Sequence, residues 1–387
     1  MSDRDYRRPP LRSFTPYVAG KPPEEVKREL GLEGPIAKLA SNENPLGPSP
    51  KALEAIRGVL DKLHMYPHDN SYYFKQAAAK HHGVAEDMIF AAAGSVEVIE
   101  LCGTCLLEEG DEVLTSARTF AIYYLATWKA GAKLVTVPMA DGYTYDLEAM
   151  AAAITPRTKL VFLANPTNPT GTWFTAAQFD SFMQKVPEDV LVVYDAAYHP
   201  YCTTDDMPDP EAWLAKGRDI MVLYTFSKAH GLAGIRAGYA VAPPRVIAAI
   251  NQGRFPFNMN IPAQVAAIAA LDDHDHIQRS REFNQRELGW LREQLSDLAV
   301  TIPPSQTNFL LIDTAFDAKW LFIELQKRAV IVRPMGGYGM PQAIRVSPGT
   351  REENQRFVTA LRDLIPSDID SARPSPAEHP AVDASDP

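Results

Sequence analysis

The chain has 387 residues, of which 46% are hydrophobic and 22% charged, and a formal net charge of -10. That length exceeds one compact core and fits two intertwined domains of ordinary soluble composition. The acidic balance argues against broad binding to nucleic acid or anionic membranes, and with no long uninterrupted apolar stretch no membrane span is expected.

The N-terminus carries Arg4, Arg7, Arg8 and Arg12, but Asp3 and Asp5 sit among them and no apolar segment follows. This is not the pattern of a secretory leader, so a cytoplasmic protein is expected. Ser49 followed by Pro50 is a good helix start, and Leu53, Ile56, Leu60 and Leu63 fall on one face of the helix it predicts. A strand ending near Ala91 is followed by Gly94-Ser95 and by a helix carrying Val98, Ile99, Cys102, Cys105 and Leu106 on one face. Cys102 and Cys105 form a CxxC, yet neither a second pair nor a nearby pair of histidines completes a metal site. With only three cysteines in the chain, the reading is a buried helix face, and no metal is expected.

From about residue 50 to 250, helical patterns alternate with short apolar runs: Lys133–Pro138, Leu160–Ala164, Val190–Tyr194, Met221–Phe226 and Gly238–Ala242. Runs of this kind are strands buried on both faces, as in a parallel sheet covered by helices, so the fold class is α/β. Ligands bind at the carboxyl ends of such strands. That rule draws attention to Gly94-Ser95, Asn165 to Gly171, Asp195 to Tyr198 and Thr225 to Lys228. After about residue 250 the pattern changes. A long helical stretch over 262–297 precedes a strand at Phe309–Ile312, a helix at Asp317–Arg328, strands at Val330–Arg333 and Ile344–Val346, and a last helix from Arg351 to Leu364. The division expected is an arm with part of a small domain (1–45), a large domain (46–252), a smaller α+β domain (253–365) and a disordered, Pro- and Ser-rich tail (366–387).

The segment from Leu223 to Gly238 holds the most chemistry. Lys228 follows a buried strand, is flanked by hydroxyls and precedes a Gly-x-x-Gly. Desolvation lowers an amine's pKa and makes it nucleophilic, as a Schiff-base lysine requires. Thr225, Ser227 and Arg236 form a set able to hold a phosphate through charge-assisted hydrogen bonds. The N–H groups at the helix start of Gly94 and Ser95 favour the same anion. In the last strands, Arg345 sits in a buried pattern where an unpaired guanidinium is costly, and its planar fork suits a carboxylate or phosphate.

Across residues 12 to 365 the sequence resembles the fold-type I pyridoxal-5'-phosphate enzymes, and within them the histidinol-phosphate aminotransferase branch. The resemblance rests on Leu39-Ala-Ser-Asn-Glu-Asn-Pro-Leu-Gly-Pro-Ser-Pro50, Tyr66-Pro67, Gly94-Ser95, Asn165-Pro-Thr-Asn-Pro-Thr-Gly171, Asp195-Ala-Ala-Tyr198, the lysine segment, Pro256-Phe-Asn-Met-Asn260 and Ile344-Arg-Val-Ser-Pro-Gly-Thr350. It implies a large domain with a mostly parallel sheet and a smaller α+β domain. Pyridoxal 5'-phosphate would be bound through Lys228, with Asp195 at the ring nitrogen, Tyr198 and Asn168 at the phenolic oxygen, and Phe120 stacked on the ring. Gly94, Ser95, Thr225, Ser227 and Arg236 would hold its phosphate, joined by Tyr66 from the partner of a homodimer with shared sites. Arg345, Arg333, Asn44 and the partner subunit's Tyr17 would meet the substrate.

The implied reaction moves an amino group between L-histidinol phosphate and 2-oxoglutarate or glutamate, in histidine biosynthesis. An aromatic amino acid aminotransferase is the close alternative, and a decarboxylase of a phosphorylated amino acid a more distant one. A regulator that senses the cofactor would need an added DNA-binding module, for which the arm is too short. Three positions depart from the family pattern: Val96 and Ala196 stand where acids are usual, and Arg118 where a proline is. None removes a group the chemistry needs.

Overall fold

The computed structural model describes residues 5–7, 11–12 and 22–365. Tyr17 and the expected tail, 366–387, lie outside the described residues.

The chain opens with α1 (Pro23–Leu30) and the two-residue β1 (Ala37–Lys38), then α2 (Pro50–Arg57) and α3 (Tyr72–His82). The Ser49 hydroxyl accepts from the Ala52 N–H and Pro50 occupies the first turn, as the sequence predicts. The helix is shorter than expected. It ends at Gly58, and Leu60 and Leu63 stand exposed in and beside a short 3₁₀ turn instead of continuing the buried face.

The large domain continues as β2 (Ile89–Ala92), α4 (Ser95–Leu106), β3 (Glu112–Ser116), α5 (Ala121–Ala130), β4 (Lys133–Val137), α6 (Leu147–Ala152), β5 (Thr158–Ala164), α7 (Ala176–Lys185), β6 (Leu191–Asp195), α8 (Pro210–Ala215), β7 (Ile220–Thr225), β8 (Gly238–Val241), α9 (Pro244–Gln252) and α10 (Ile261–Leu271). Its seven strands form one sheet in the order β2-β8-β7-β6-β5-β3-β4. Strand β8 runs antiparallel to both its neighbours, and the remaining pairs are parallel. Consecutive residues of a central strand therefore serve two cores. Leu160, Phe162, Leu191, Val193, Met221 and Leu223 pack against α4, α5 and α9, whereas Val161, Leu163, Val192, Tyr194 and Val222 pack into the opposite core.

Two strands depart from the sequence reading. The run Lys133–Pro138 forms an edge strand, β4, in which only Val137 is buried, because nothing pairs beyond it. Strand β3 is fully buried although it begins with a charge that breaks its apolar run. Glu112 is 1% exposed and accepts from Lys133, Arg157 and Thr155, and these donors hold its carboxyl down at about 2.

Helix α10 packs on α2 and α3, and Ala263, Ala266, Ala267, Ala270 and Leu271 belong to the core of the large domain. The chain changes core at Asp272-Asp273, where α11 (His274–Gln294) begins. Next come β9 (Leu310–Asp313), α12 (Ala318–Lys327), the short β10 (Val330–Ile331) and β11 (Arg333–Pro334), β12 (Ala343–Val346) and α13 (Arg351–Arg362). Strands β11, β12 and β9 form an antiparallel sheet, and β1 pairs with β10. Ala37 and Leu39, from the N-terminal segment, are buried in this smaller core beside Leu310, Ile344 and Phe357. Among the described residues no helix is long and apolar enough to cross a membrane, and no group of three or more His, Cys, Asp or Glu is placed to hold a metal ion.

Glu112→Gln tests the account of β3. At neutral pH it should cost roughly 1–3 kcal/mol, the range for hydrogen bonds to a charge. A carboxyl held down to about 2 stabilises the fold above its unfolded value of roughly 4.3 and loses that contribution as pH falls toward 2. Thermal melts should therefore show the gap between wild type and variant closing across that interval.

Candidate active site

Strands β2, β3, β5, β6 and β7 point the same way, so their carboxyl ends share one edge of the sheet. At that edge lies a cleft of about 720 Å³, its open mouth included, lined by residues that follow those strands. Ser95 follows β2, Phe120 and Tyr123 follow β3, Asn168 follows β5, Asp195 ends β6, Thr225 ends β7, and Ser227 and Lys228 follow it. Tyr198 and Arg236 complete the wall, so the structure brings the core of the sequence-predicted set together.

At one end the hydroxyls and N–H groups gather around Arg236. Gly238, at the start of β8, is paired with both Ala92 and Thr225, which places the end of β2 beside that of β7. The Arg236 backbone lies in the left-handed region (φ 59°), unusual for a residue with a side chain, and its guanidinium donates to the Ser227 hydroxyl at 3.4 Å and the Ala233 carbonyl at 3.0 Å. It lies so close over Gly94 that a Cβ there would meet Nη2 at 2.6 Å. Glycine at 94 thus leaves room for a guanidinium, two hydroxyls and the amino end of α4 to face one point, the chemistry of a phosphate cradle.

At the other end Asp195 is buried. Its Oδ2 accepts from the Tyr123 hydroxyl at 2.8 Å and its Oδ1 from the Ala197 N–H at 3.1 Å. Burial raises its pKa, opposed by the Tyr123 hydrogen bond, while burial beside that carboxyl pushes the Tyr123 phenol well up and keeps it a donor. A carboxylate walled in this way is best satisfied by a cation in the cleft. Tyr123 was not singled out by sequence; its only signal is its place three residues after Phe120 on the same helix start.

Lys228 lies between the two ends, its ammonium 5.8 Å from the centre of the Tyr198 ring. Desolvation, then the Arg345 charge, lowers its pKa to about 8. Asn42, also missed, donates to the Tyr198 hydroxyl at 2.9 Å, and burial raises that phenol to about 12. Arg345 is buried on β12, donates to Asn168 Oδ1 at 2.5 Å and to the Ala40 carbonyl at 3.0 Å, and lies over the Phe309 ring. Arg333 stands directly opposite it across the antiparallel pair β11–β12, so both side chains leave the same face.

Asn44 requires a correction. Its amide is committed to the protein: Nδ2 donates to the Ala229 carbonyl and the Ser280 hydroxyl, both at 2.8 Å, and Oδ1 accepts from the Leu46 N–H. Like Arg333 and Arg345, it is not among the cleft-lining residues. Nor is Tyr66, which is 80% exposed and stacked on Phe257 at 4.6 Å. In the CxxC, Cys102 is buried with its thiol pushed up to about 12, and both cysteines are free thiols packed on α4. Of the departures noted, Val96 lines the cleft, while the neighbouring Glu97 turns away to the Ala93 N–H and Asn258.

The family of class I and II aminotransferases matches residues 35–361. The chain is 46% identical over 358 residues to a histidinol-phosphate aminotransferase of Anaeromyxobacter sp., covering 92% of this chain and 98% of that protein. It is 43% identical over 356 residues to one from Moorella thermoacetica, covering 92% of each. The structure of the histidinol-phosphate aminotransferase from Sinorhizobium meliloti in complex with pyridoxal-5'-phosphate superposes with a TM-score of 0.85 at 31% identity, over 94% of this chain and 98% of that one. L-threonine-O-3-phosphate decarboxylase from Porphyromonas gingivalis shares the fold, with a TM-score of 0.75 at 21% identity over 85% of this chain and 99% of that one.

In ligand-free protein, covalent modification of Lys228 by an amine reagent, followed against pH, should titrate near 8. Removing a nearby cation favours the ammonium form, so Arg345→Met should raise that midpoint. An unchanged midpoint would show that Arg345 does not act on the amine.

Proposed function

The chain belongs to the class I and II aminotransferases, and from that premise we propose that it transfers an amino group between L-histidinol phosphate and 2-oxoglutarate or glutamate, in histidine biosynthesis, with pyridoxal 5'-phosphate as its cofactor. The donor set of the cleft fits that cofactor. A buried carboxylate at one end, a phosphate cradle at the other and a desolvated amine between them match a ring nitrogen, a phosphate and a carbonyl. When bound, the cofactor supplies a carbonyl carbon that takes up the amino group and a ring that draws electrons from the substrate Cα.

The protein's part follows from its own residues. Asp195 would keep a proton on the ring nitrogen, and the Tyr123 hydroxyl and Ala197 N–H fix the carboxylate for that task. Ser95, Thr225, Ser227 and Arg236 would hold the phosphate. Phe120 would lie against the ring, and Tyr198 and Asn168 would donate toward its oxygen. Arg345 holds Asn168 through its Oδ1, which leaves the amide N–H groups to face the cleft. Lys228, neutral above about 8 in the ligand-free protein, would take the proton from the substrate Cα and give it back further along the reaction, acting as base and then acid.

The observation that carries the choice of substrate is the register of β11 and β12. Arg333 and Arg345 stand directly across the strand pair, and a dianionic phosphate uses two planar forks more fully than a carboxylate does. Arg345 serves the carboxylate of glutamate and the phosphate of histidinol phosphate in turn, with Arg333 adding donors for the second. The exposed aromatic surface of Tyr66, Tyr73 and Phe255, with Leu60, Leu63 and Met65, supports a homodimer in which Tyr66 reaches the partner's phosphate cradle. The small-molecule reaction suits the cytoplasm.

Arg333→Ala should lower kcat/KM for histidinol phosphate by roughly 1–3 kcal/mol more than for phenylalanine, the range for hydrogen bonds to a charge. Equal losses on both would favour an aromatic amino acid aminotransferase. In the ring-nitrogen test, Asp195→Asn should retain cofactor yet slow Cα deprotonation by about 10²-fold or more. Near wild-type single-turnover rates would exclude that role.

A further inference from the structure

The turn that presents Lys228 is held from outside the cleft. The Gly231 N–H donates to the Lys228 carbonyl at 2.9 Å, closing the turn on itself. The next two carbonyls point away from the cleft toward the segment that precedes α2. Asn44 Nδ2 donates to the carbonyl of Ala229 and to Ser280 on α11. The Ser49 N–H donates to the carbonyl of His230 at 3.0 Å. The Ser49 hydroxyl in turn donates to Oδ2 of the buried Asp273, the residue before α11, at 2.6 Å. Backbone meets backbone between these anchors. Gly231 is in the left-handed region, and a Cβ there would meet the Gly47 carbonyl at 2.0 Å. Two consecutive carbonyls after the lysine are therefore fixed by side chain and backbone from 44–49, and that segment is itself tied to the start of α11.

We propose that Asn44 is a positioning residue for Lys228, acting through the Ala229 carbonyl, with Ser49 and Asp273 completing the clamp on the following carbonyl. A reacting amine displaced by even 1 Å loses rate steeply, up to about 10²-fold, because the proton it carries must pass between fixed carbons. The clamp's one charge, Asp273, is not among the charges that act on the amine. The groups that face Lys228 electrostatically are Asp195 on β6, Arg236, Arg345 on β12 and Glu43. Loosening the turn admits water to the amine without changing those charges, and the amine then behaves more like an ordinary lysine.

The test uses Asn44→Leu, which keeps the volume and adds no charge, with Ser49→Ala and Ser49→Thr as a second pair. Two quantities are read. One is the pH midpoint of Lys228 modification in ligand-free protein, which needs neither cofactor nor substrate. The other is kcat against KM for the amino donor with cofactor bound, and this readout alone rests on the aminotransferase reading. Asn44→Leu should raise the midpoint and lower kcat by about tenfold to 10²-fold while KM stays near wild type. Ser49→Ala should do the same to a smaller extent, and Ser49→Thr should restore both. A raised KM with unchanged midpoint and kcat would return Asn44 to the substrate. A lowered melting temperature with midpoint and kcat unmoved would make the clamp merely structural, and either result overturns the proposal. Should Asn44→Leu fail to fold, the serine pair decides by the same criteria, and an unmoved midpoint in soluble Ser49→Ala overturns it. If wild type rejects histidinol phosphate yet transaminates another donor, the substrate reading fails and the clamp is still tested.

Discussion

The structure depends on one amine being kept out of water, where burial and a neighbouring guanidinium outweigh the carboxylates that would keep it charged. Lys228 lies at the end of β7, desolvated, with Arg345 the largest of the charges acting on it and Asp195 and Arg236 also nearby. Every large feature of the fold contributes to that placement. Parallel strands bring Asp195 and Lys228 to one edge, antiparallel β8 returns Arg236 to the same edge, and the smaller domain supplies Arg345. Burial of an ammonium near guanidiniums is costly, and the fold bears that cost where Lys228 and Arg236 belong to the donor set of the cleft.

The segment from Leu39 to Ser49 joins these contributions. Leu39 is buried in the smaller core, Asn42 donates to Tyr198 at the cleft, and Asn44 donates to the Ala229 carbonyl beyond it. Asn42 is further fixed because the Ser347 hydroxyl donates to its Oδ1, while Asn308 donates to its backbone carbonyl. Eleven residues without regular structure thus contact both domains and the turn of the catalytic lysine. The side-chain amides of Asn42 and Asn44 are each committed at both ends, as buried polar groups require.

Much of this was legible in the sequence, for physical reasons. A central parallel strand is apolar on both faces, so β5, β6 and β7 appear as unbroken runs, and the residues that end them are where chemistry gathers. What was hidden depends on contacts between distant residues. The charge of Glu112 conceals β3, because only the fold reveals that Lys133, Arg157 and Thr155 surround it. The apolar spacing of Leu60 and Leu63 mimics a helix face, whereas the helix stops at Gly58 and leaves them exposed. Asn42 and Asn44 have the same residue type two positions apart, and no local pattern tells which amide meets Tyr198 and which meets the Ala229 carbonyl. The pairing of Arg333 with Arg345 is a matter of strand register, which the sequence of either strand alone does not carry.

The cleft exchanges an amino group with a phosphate-bearing amine. Rapid mixing of cofactor-loaded protein with L-histidinol phosphate, phenylalanine, tyrosine or glutamate in parallel, with the cofactor absorbance followed through a single half-reaction, tests it most directly. Complete conversion is expected with histidinol phosphate and with glutamate, and phenylalanine and tyrosine should be slower by at least about tenfold, since a site built around donors penalises a ligand that leaves them unfilled. Conversion by phenylalanine as fast as by histidinol phosphate, or release of carbon dioxide in place of the exchange, would contradict it.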